Sequence, residues 1–81
     1  MCRNITTLRG LEPAATDDEI VAAARQYVRK VTGVQKTSAN TEAAFERAVA
    51  IIAEATERVV QELPPRKVPP KTQPLLRRLA Q

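Results

Sequence analysis

One segment gives the clearest secondary-structure signal in the chain: Thr16-Asp-Asp-Glu-Ile-Val-Ala-Ala-Ala-Arg-Gln-Tyr-Val-Arg-Lys-Val-Thr-Gly33. Thr16 followed by Glu19 matches a capping box, in which each side chain accepts a hydrogen bond from the backbone N–H of the other residue. Apolar residues then recur at helical spacing, at Ile20, Ala24, Tyr27, Val28 and Val31. Gly33 suits the left-handed position that ends many helices. The stretch therefore predicts an amphipathic helix from about Asp17 to Thr32.

A second and longer helix is predicted from about Thr41 to Leu63. It follows a polar loop at 35–40, in which Ser38 or Asn40 is the expected N-cap. Its apolar face comprises Phe45, Ala48, Val49, Ile52, Thr56, Val59, Val60 and Leu63. Pro64 and Pro65 end the helix, because a residue that precedes proline avoids the α region.

The apolar face of this second helix is wider than one antiparallel partner helix needs, because Ile51, with Ala44 and Ala55, extends it to one side. The interpretation that we favour is coverage by the N-terminal segment. Its Ile5, Leu8 and Leu11 recur every third residue and predict a short helix that ends at Gly10. The alternative is a surface for a homodimer or another partner. Either way, the sequence predicts an all-α fold: a two-helix antiparallel hairpin with a short N-terminal helix and an extended C-terminal tail.

Residues 64–81, hereafter the tail, differ in composition from residues 1–63, the predicted helical body. The tail holds five of the six prolines and five basic residues without an acid, so it accounts for the net charge of +4. Its first half favours an extended polyproline II conformation. In the Leu75–Ala80 stretch, a helix would place Leu75, Leu76 and Leu79 together. Six residues do not hold a helix in water, so a partner or the body must supply a groove.

The residue types give little support for catalysis. The chain has no histidine, the side chain best suited to proton transfer near neutral pH. Asp17, Asp18 and Glu19 lie in a helix's first turn, where acids stabilise the positive end of the dipole. A single cysteine, Cys2, builds neither a disulfide nor a zinc site, and we interpret its thiol as incidental. We therefore expect that the protein is not an enzyme and that it uses no cofactor, no metal ion and no small-molecule substrate.

Three blocks carry a resemblance: Met1-Cys-Arg-Asn-Ile5, Pro13-Ala-Ala-Thr-Asp-Asp-Glu-Ile20 and Gln26-Tyr-Val-Arg-Lys-Val-Thr-Gly33. With the segment 39–49 after them, their order resembles a small bacterial family of unknown function. The resemblance covers about residues 1–60 and implies a bacterial helical protein, without implying an activity. The sequence shows no signal peptide and no membrane-spanning run, and it has a single cysteine. Together these features predict a cytoplasmic location.

The expected function is that of a small accessory or adaptor protein, which docks on a larger protein assembly through its tail and its wide apolar helix face. A homodimer is the other partner considered. The leucines of the tail would be the anchor, and its first basic residues would steer it to an acidic surface. The partner-binding residues expected on this basis are Leu75, Leu76, Leu79, Arg66, Lys67, Lys71 and Ile51. The alternative function is a basic protein associated with nucleic acid or the ribosome.

Overall fold

A computed structural model describes residues 5–80 of the chain. It contains helices α1 (Asp17–Thr32), α2 (Glu42–Glu62) and α3 (Leu75–Ala80), and no strand within those residues. The all-α prediction is confirmed, and α1 and α2 pack against each other as the predicted antiparallel hairpin.

Helix α1 begins and ends where its sequence predicts. The Glu19 N–H donates to Thr16 Oγ1 at 3.1 Å, and the Thr16 N–H donates to Glu19 Oε1 at 2.8 Å, so the capping box is complete. Gly33 takes φ 74°, and its N–H donates to the Arg29 carbonyl. These local interactions satisfy backbone groups that a helix leaves without internal partners.

Helix α2 begins differently from the prediction, because the N-cap is Thr41 and neither Ser38 nor Asn40 caps it with a side chain. Instead, the Ser38 carbonyl accepts from the N–H groups of both Thr41 and Glu42. A turn therefore precedes the helix and takes over the role of a side-chain cap. Between the helices lies the buried core, which consists of Leu8, Leu11, Ile20, Ala24, Val28, Phe45, Val49 and Ala53.

The predicted short N-terminal helix is not formed, since residues 5–16 contain no helix. Leu8 and Leu11 are both buried, but a turn brings them inward: the Leu11 N–H faces the Leu8 carbonyl at 3.5 Å. Gly10 between them has φ 87°, a left-handed value at which a right-handed helix cannot continue. The three-residue spacing of Leu8 and Leu11 therefore reflects two buried leucines on a turn and not one face of a helix.

The tail returns along the body. After α2 ends, residues 64–74 form no regular structure, as expected for a proline-rich segment. Arg9 on the N-terminal segment donates through Nη1 to the Pro64 carbonyl at 2.7 Å. Pro74 is buried, and α3 follows it with the predicted Leu75–Ala80 bounds. The tail and the N-terminal segment thus lie against each other and against the hairpin.

Candidate functional site

An ion pair between α3 and the start of α1 fixes the C-terminal helix to the body. Arg77 Nε lies 2.7 Å from Glu19 Oε2, and Arg77 Nη2 lies 3.0 Å from Glu19 Oε1. The same Nη2 donates to the carbonyls of Pro13 at 2.6 Å and Ala14 at 3.0 Å. We call this set of contacts the clasp. The two side chains are 16% and 4% exposed, so the pair is largely shielded from solvent.

The clasp changes the acidity of Glu19. Burial by itself raises the pKa of a carboxyl group, because it disfavours the charged form. In Glu19 the hydrogen bond from the Thr16 N–H and the contacts with the Arg77 guanidinium outweigh burial, so its pKa lies below the ordinary value of 4.5. Glu19 therefore has two partners, the backbone of the helix cap and the arginine of the tail, and both favour its ionised form.

A second contact joins the two terminal segments at Gly10. A Cβ built on Gly10 would lie 2.9 Å from Arg66 Cβ, closer than side-chain atoms pack. The stem of Arg66 therefore lies directly on the glycine, while its Nε donates to the Val68 carbonyl at 3.2 Å. Gly10 serves two purposes, the left-handed turn and the close approach of the tail.

The three tail leucines do not share one environment. Leu75 is half-buried, whereas Leu76 is 41% exposed and Leu79 is 71% exposed. Leu75 and Leu76 line a groove of about 380 Å³ along α1, which reaches from Asp18 to Arg29. Arg29 Nε and Thr6 Oγ1, both on residues of this groove, are buried without a hydrogen-bond partner within the described residues. The groove combines apolar side chains of α1 and α3 with polar groups that lack a bonding partner.

A second surface lies on α2, on the side away from the core. We call it the outer strip: Arg47, Ile51, Glu54, Ala55, Arg58, Val59 and Glu62. Ile51 is 60% exposed and Val59 is 49% exposed. The favoured prediction that the N-terminal segment covers the Ile51 side is therefore wrong. That segment lies instead beside Ile52, Thr56 and Val60, at another angle of the helix.

The predicted partner-binding residues thus fall on separate surfaces. Leu76 and Leu79 lie on α3, and Ile51 lies in a depression of about 410 Å³ on the outer strip, which no tail residue lines. Lys67 and Lys71 are exposed, as a steering role requires. Sequence reasoning did not identify Glu19, Gly10 or Arg9 as positions that hold the tail. Gly10 offered the one signal, because a residue without a Cβ allows another part of the chain to approach its backbone closely.

The remaining findings concern metal ions, bilayers and the aromatic residue of α1. Among the described residues, no group of three or more potential ligand side chains is placed to hold a metal ion. No helix in that part of the chain is long and apolar enough to cross a bilayer. Tyr27, one of the apolar residues at helical spacing in α1, is 48% exposed, so its ring is only partly covered. Cys2 lies outside the described residues.

Comparison with known proteins agrees with the resemblance seen in the sequence. Neither the curated proteins nor the solved structures include a match to this chain. A family model does match, over residues 1–78, and so it includes the clasp as well as the hairpin. The chain belongs to that family, which is described as Uncharacterized conserved protein (DUF2277).

Proposed function

We propose that this protein is a small helical adaptor, which docks on a larger protein through its C-terminal helix and uses the outer strip as a further protein-contact surface. The observation that carries the proposal is the pairing of a fixed helix with exposed leucines. Arg77 ties α3 to Glu19, yet Leu79 on that helix is 71% exposed and Leu76 is 41% exposed. A rigid apolar tip binds with less loss of conformational entropy than a free arm does.

The surroundings of α3 indicate the chemistry of the docking partner. The groove beside Leu75 and Leu76 is lined in part by apolar side chains, among them Leu8 and Val21, so it suits an apolar side chain. Farther along α1, Arg29 also lines this groove and adds a positive charge to it. Lys67 and Lys71 add exposed positive charge. We therefore propose an acidic protein segment that carries at least one large apolar residue, in the bacterial cytoplasm.

Nucleic acid remains the second class of partner, and two contacts weigh against it. Arg77, one of the five basic residues of the tail, is neutralised by Glu19. The Nε of Arg66, another of the five, donates to the Val68 carbonyl at 3.2 Å, which restricts how its guanidinium can meet a phosphate. Phosphate binding depends on how many cations are available to replace counterions. Fewer available cations make the tail a weaker phosphate ligand than its composition indicates.

Site-specific photocrosslinking in living cells tests the proposal. A photoreactive amino acid at position 79 should give a discrete protein adduct that resists nuclease. The matched control places it at Lys36, an exposed loop residue at the opposite end of α1 from the clasp. The same adduct from both positions, or an adduct that nuclease removes, would contradict docking through α3.

A further inference from the structure

We infer that the outer strip of α2 binds a second copy of this chain, with the two α2 helices antiparallel and their twofold axis at Ala55. The second copy is thus the proposed partner of the outer strip, which is one of the two contact surfaces in the proposed function. This inference does not depend on docking through α3, because the strip and α3 share no residue. Each proposal can therefore fail without the other.

The apolar residues of the strip fit such a pairing. Ile51, Ala55 and Val59 follow one another at four-residue spacing along α2. In an antiparallel pair centred on Ala55, residues equally far before and after it face each other. Ile51 then meets Val59 of the second copy, and Val59 meets its Ile51. The small side chain at Ala55 permits close approach at the axis, where Ile51 and Val59 line the depression beside it.

The charges of the strip specify the second copy. Along α2 they run Arg47, Glu54, Arg58 and Glu62, so the signs alternate from positive to negative. A second α2 that runs in the opposite direction presents these charges in the order negative, positive, negative, positive. Each positive residue of one helix is then matched with a negative residue of the other. About the Ala55 axis, Arg47 comes within a residue of the position facing Glu62 of the second copy. Glu54 lies two residues from the position facing Arg58 of the second copy, so the Arg47–Glu62 pair is the closer of the two. Long side chains span such an offset.

The same pattern excludes the parallel arrangement. Two parallel α2 helices in register would set each arginine beside the same arginine and each glutamate beside the same glutamate, which is unfavourable. Arg47 and Glu62 form no ion pair within residues 5–80, so both are available to a second copy. Glu54 and Arg58 meet within one helix at 3.4 Å, with side chains that are 73% and 69% exposed. This exposed contact leaves both groups open to further pairing.

The interface is small, so the dimer should be weak. The paired part of α2 runs from Arg47 to Glu62, roughly 22 Å at 1.5 Å per residue. One helix pair of this length buries less than the roughly 1,200–2,000 Å² of stable interfaces. We therefore expect dissociation constants from about 10 μM to about 1 mM.

Charge exchange between Arg47 and Glu62 is the first test. Sedimentation equilibrium of the full-length protein should show a monomer–dimer equilibrium below roughly 1 mM. Arg47→Glu alone and Glu62→Arg alone should each weaken dimerisation roughly tenfold, because each creates two like-charge contacts. The double variant should restore it. The two residues lie roughly 22 Å apart within one helix, so restoration requires a second copy.

The single variants should remain folded, since Arg47 and Glu62 are both exposed, and a base at the last residue of α2 suits the helix dipole. A wild-type protein that stays monomeric at all concentrations up to roughly 1 mM would overturn the inference. The outer strip would then be a contact surface for a different protein. A double variant that dimerises no better than the single ones would overturn it as well.

Cysteine pairing tests the orientation. In a Cys2→Ser background, Ile51→Cys mixed with Val59→Cys should form a disulfide-linked dimer under mild oxidation, whereas Ile51→Cys alone should form far less. Ala55→Cys should link to itself, because it lies on the axis. Efficient self-linking of Ile51→Cys without linking in the mixture would show a parallel pair and contradict the inference.

Discussion

The guanidinium of Arg77 and the carboxylate of Glu19 meet across 58 residues of chain, with 2.7 Å between Arg77 Nε and Glu19 Oε2. Glu19 already accepts the Thr16 N–H as part of the helix cap. One carboxylate therefore holds both the start of α1 and the C-terminal helix. The clasp positions α3, and α3 carries the exposed leucines of the proposed docking surface.

Loss of the clasp arginine should destabilise the fold. Arg77→Gln leaves Glu19 buried without its cation, which we expect to cost about 2–4 kcal/mol. The measurement is urea unfolding followed by circular dichroism. The control is Lys71→Gln, which removes the same charge from an exposed tail position and should change stability by less than about 0.5 kcal/mol. Equal effects of the two changes would contradict a specific role for the clasp.

The stability should depend on pH through Glu19. Its pKa is lowered in the folded protein, so the unfolded chain takes up a proton at higher pH than the folded one. This part of the stability is fully present above the ordinary carboxyl pKa of 4.5 and is lost as the pH falls through the lower folded value. Unfolding free energies measured from pH 6 downward should fall more steeply for the wild type than for Glu19→Gln. Parallel curves would contradict the assignment.

The two glycines should respond differently to alanine. Both have positive φ, so each substitution should cost about 1–2 kcal/mol of backbone strain. At Gly33 nothing lies within 4 Å of the added Cβ, whereas at Gly10 it meets Arg66 Cβ at 2.9 Å. Gly10→Ala should therefore cost about 1–3 kcal/mol more than Gly33→Ala. Equal losses in thermal unfolding would show that the tail does not press on Gly10.

The local elements could be predicted from the sequence, and the long-range contacts could not. Thr16, Glu19 and Gly33 set the ends of α1 through neighbours along the chain, so their pattern was sufficient. The clasp joins residues 58 positions apart, and nothing near Arg77 in the sequence distinguishes it from Arg78. Glu19 was also fully explained as a capping residue, which concealed its second partner.

Two predictions from spacing were wrong for one physical reason. The spacing of Ile5, Leu8 and Leu11 matched a helix face, but spacing does not determine the backbone path between the residues. The turn at Gly10 buries Leu8 and Leu11 as well as a helix would. The wide apolar face of α2 was likewise apparent, but spacing does not tell which part of it the N-terminal segment covers. Ile52 is half-buried and its neighbour Ile51 is 60% exposed.

Salt dependence separates the two classes of partner. If tail cations bound duplex phosphates, log K should fall against log salt with a slope of about −0.9 per phosphate contact. A partner bound mainly through leucines should show a much shallower slope. We therefore expect weak binding of the purified protein to generic duplex DNA or RNA at physiological salt. Tight binding with a steep slope would favour the nucleic-acid alternative.

The most direct test of docking through α3 is the capture of the protein that crosslinks at position 79, quantified for wild type and two variants. Leu76→Ala with Leu79→Ala removes the exposed apolar tip and leaves the clasp and every charge in place. Capture should fall at least about tenfold, while the unfolding free energy changes little. Val68→Ala, which shortens a tail side chain that is 65% exposed, should leave capture unchanged. Undiminished capture by the double-leucine variant, with its fold intact, would contradict the account.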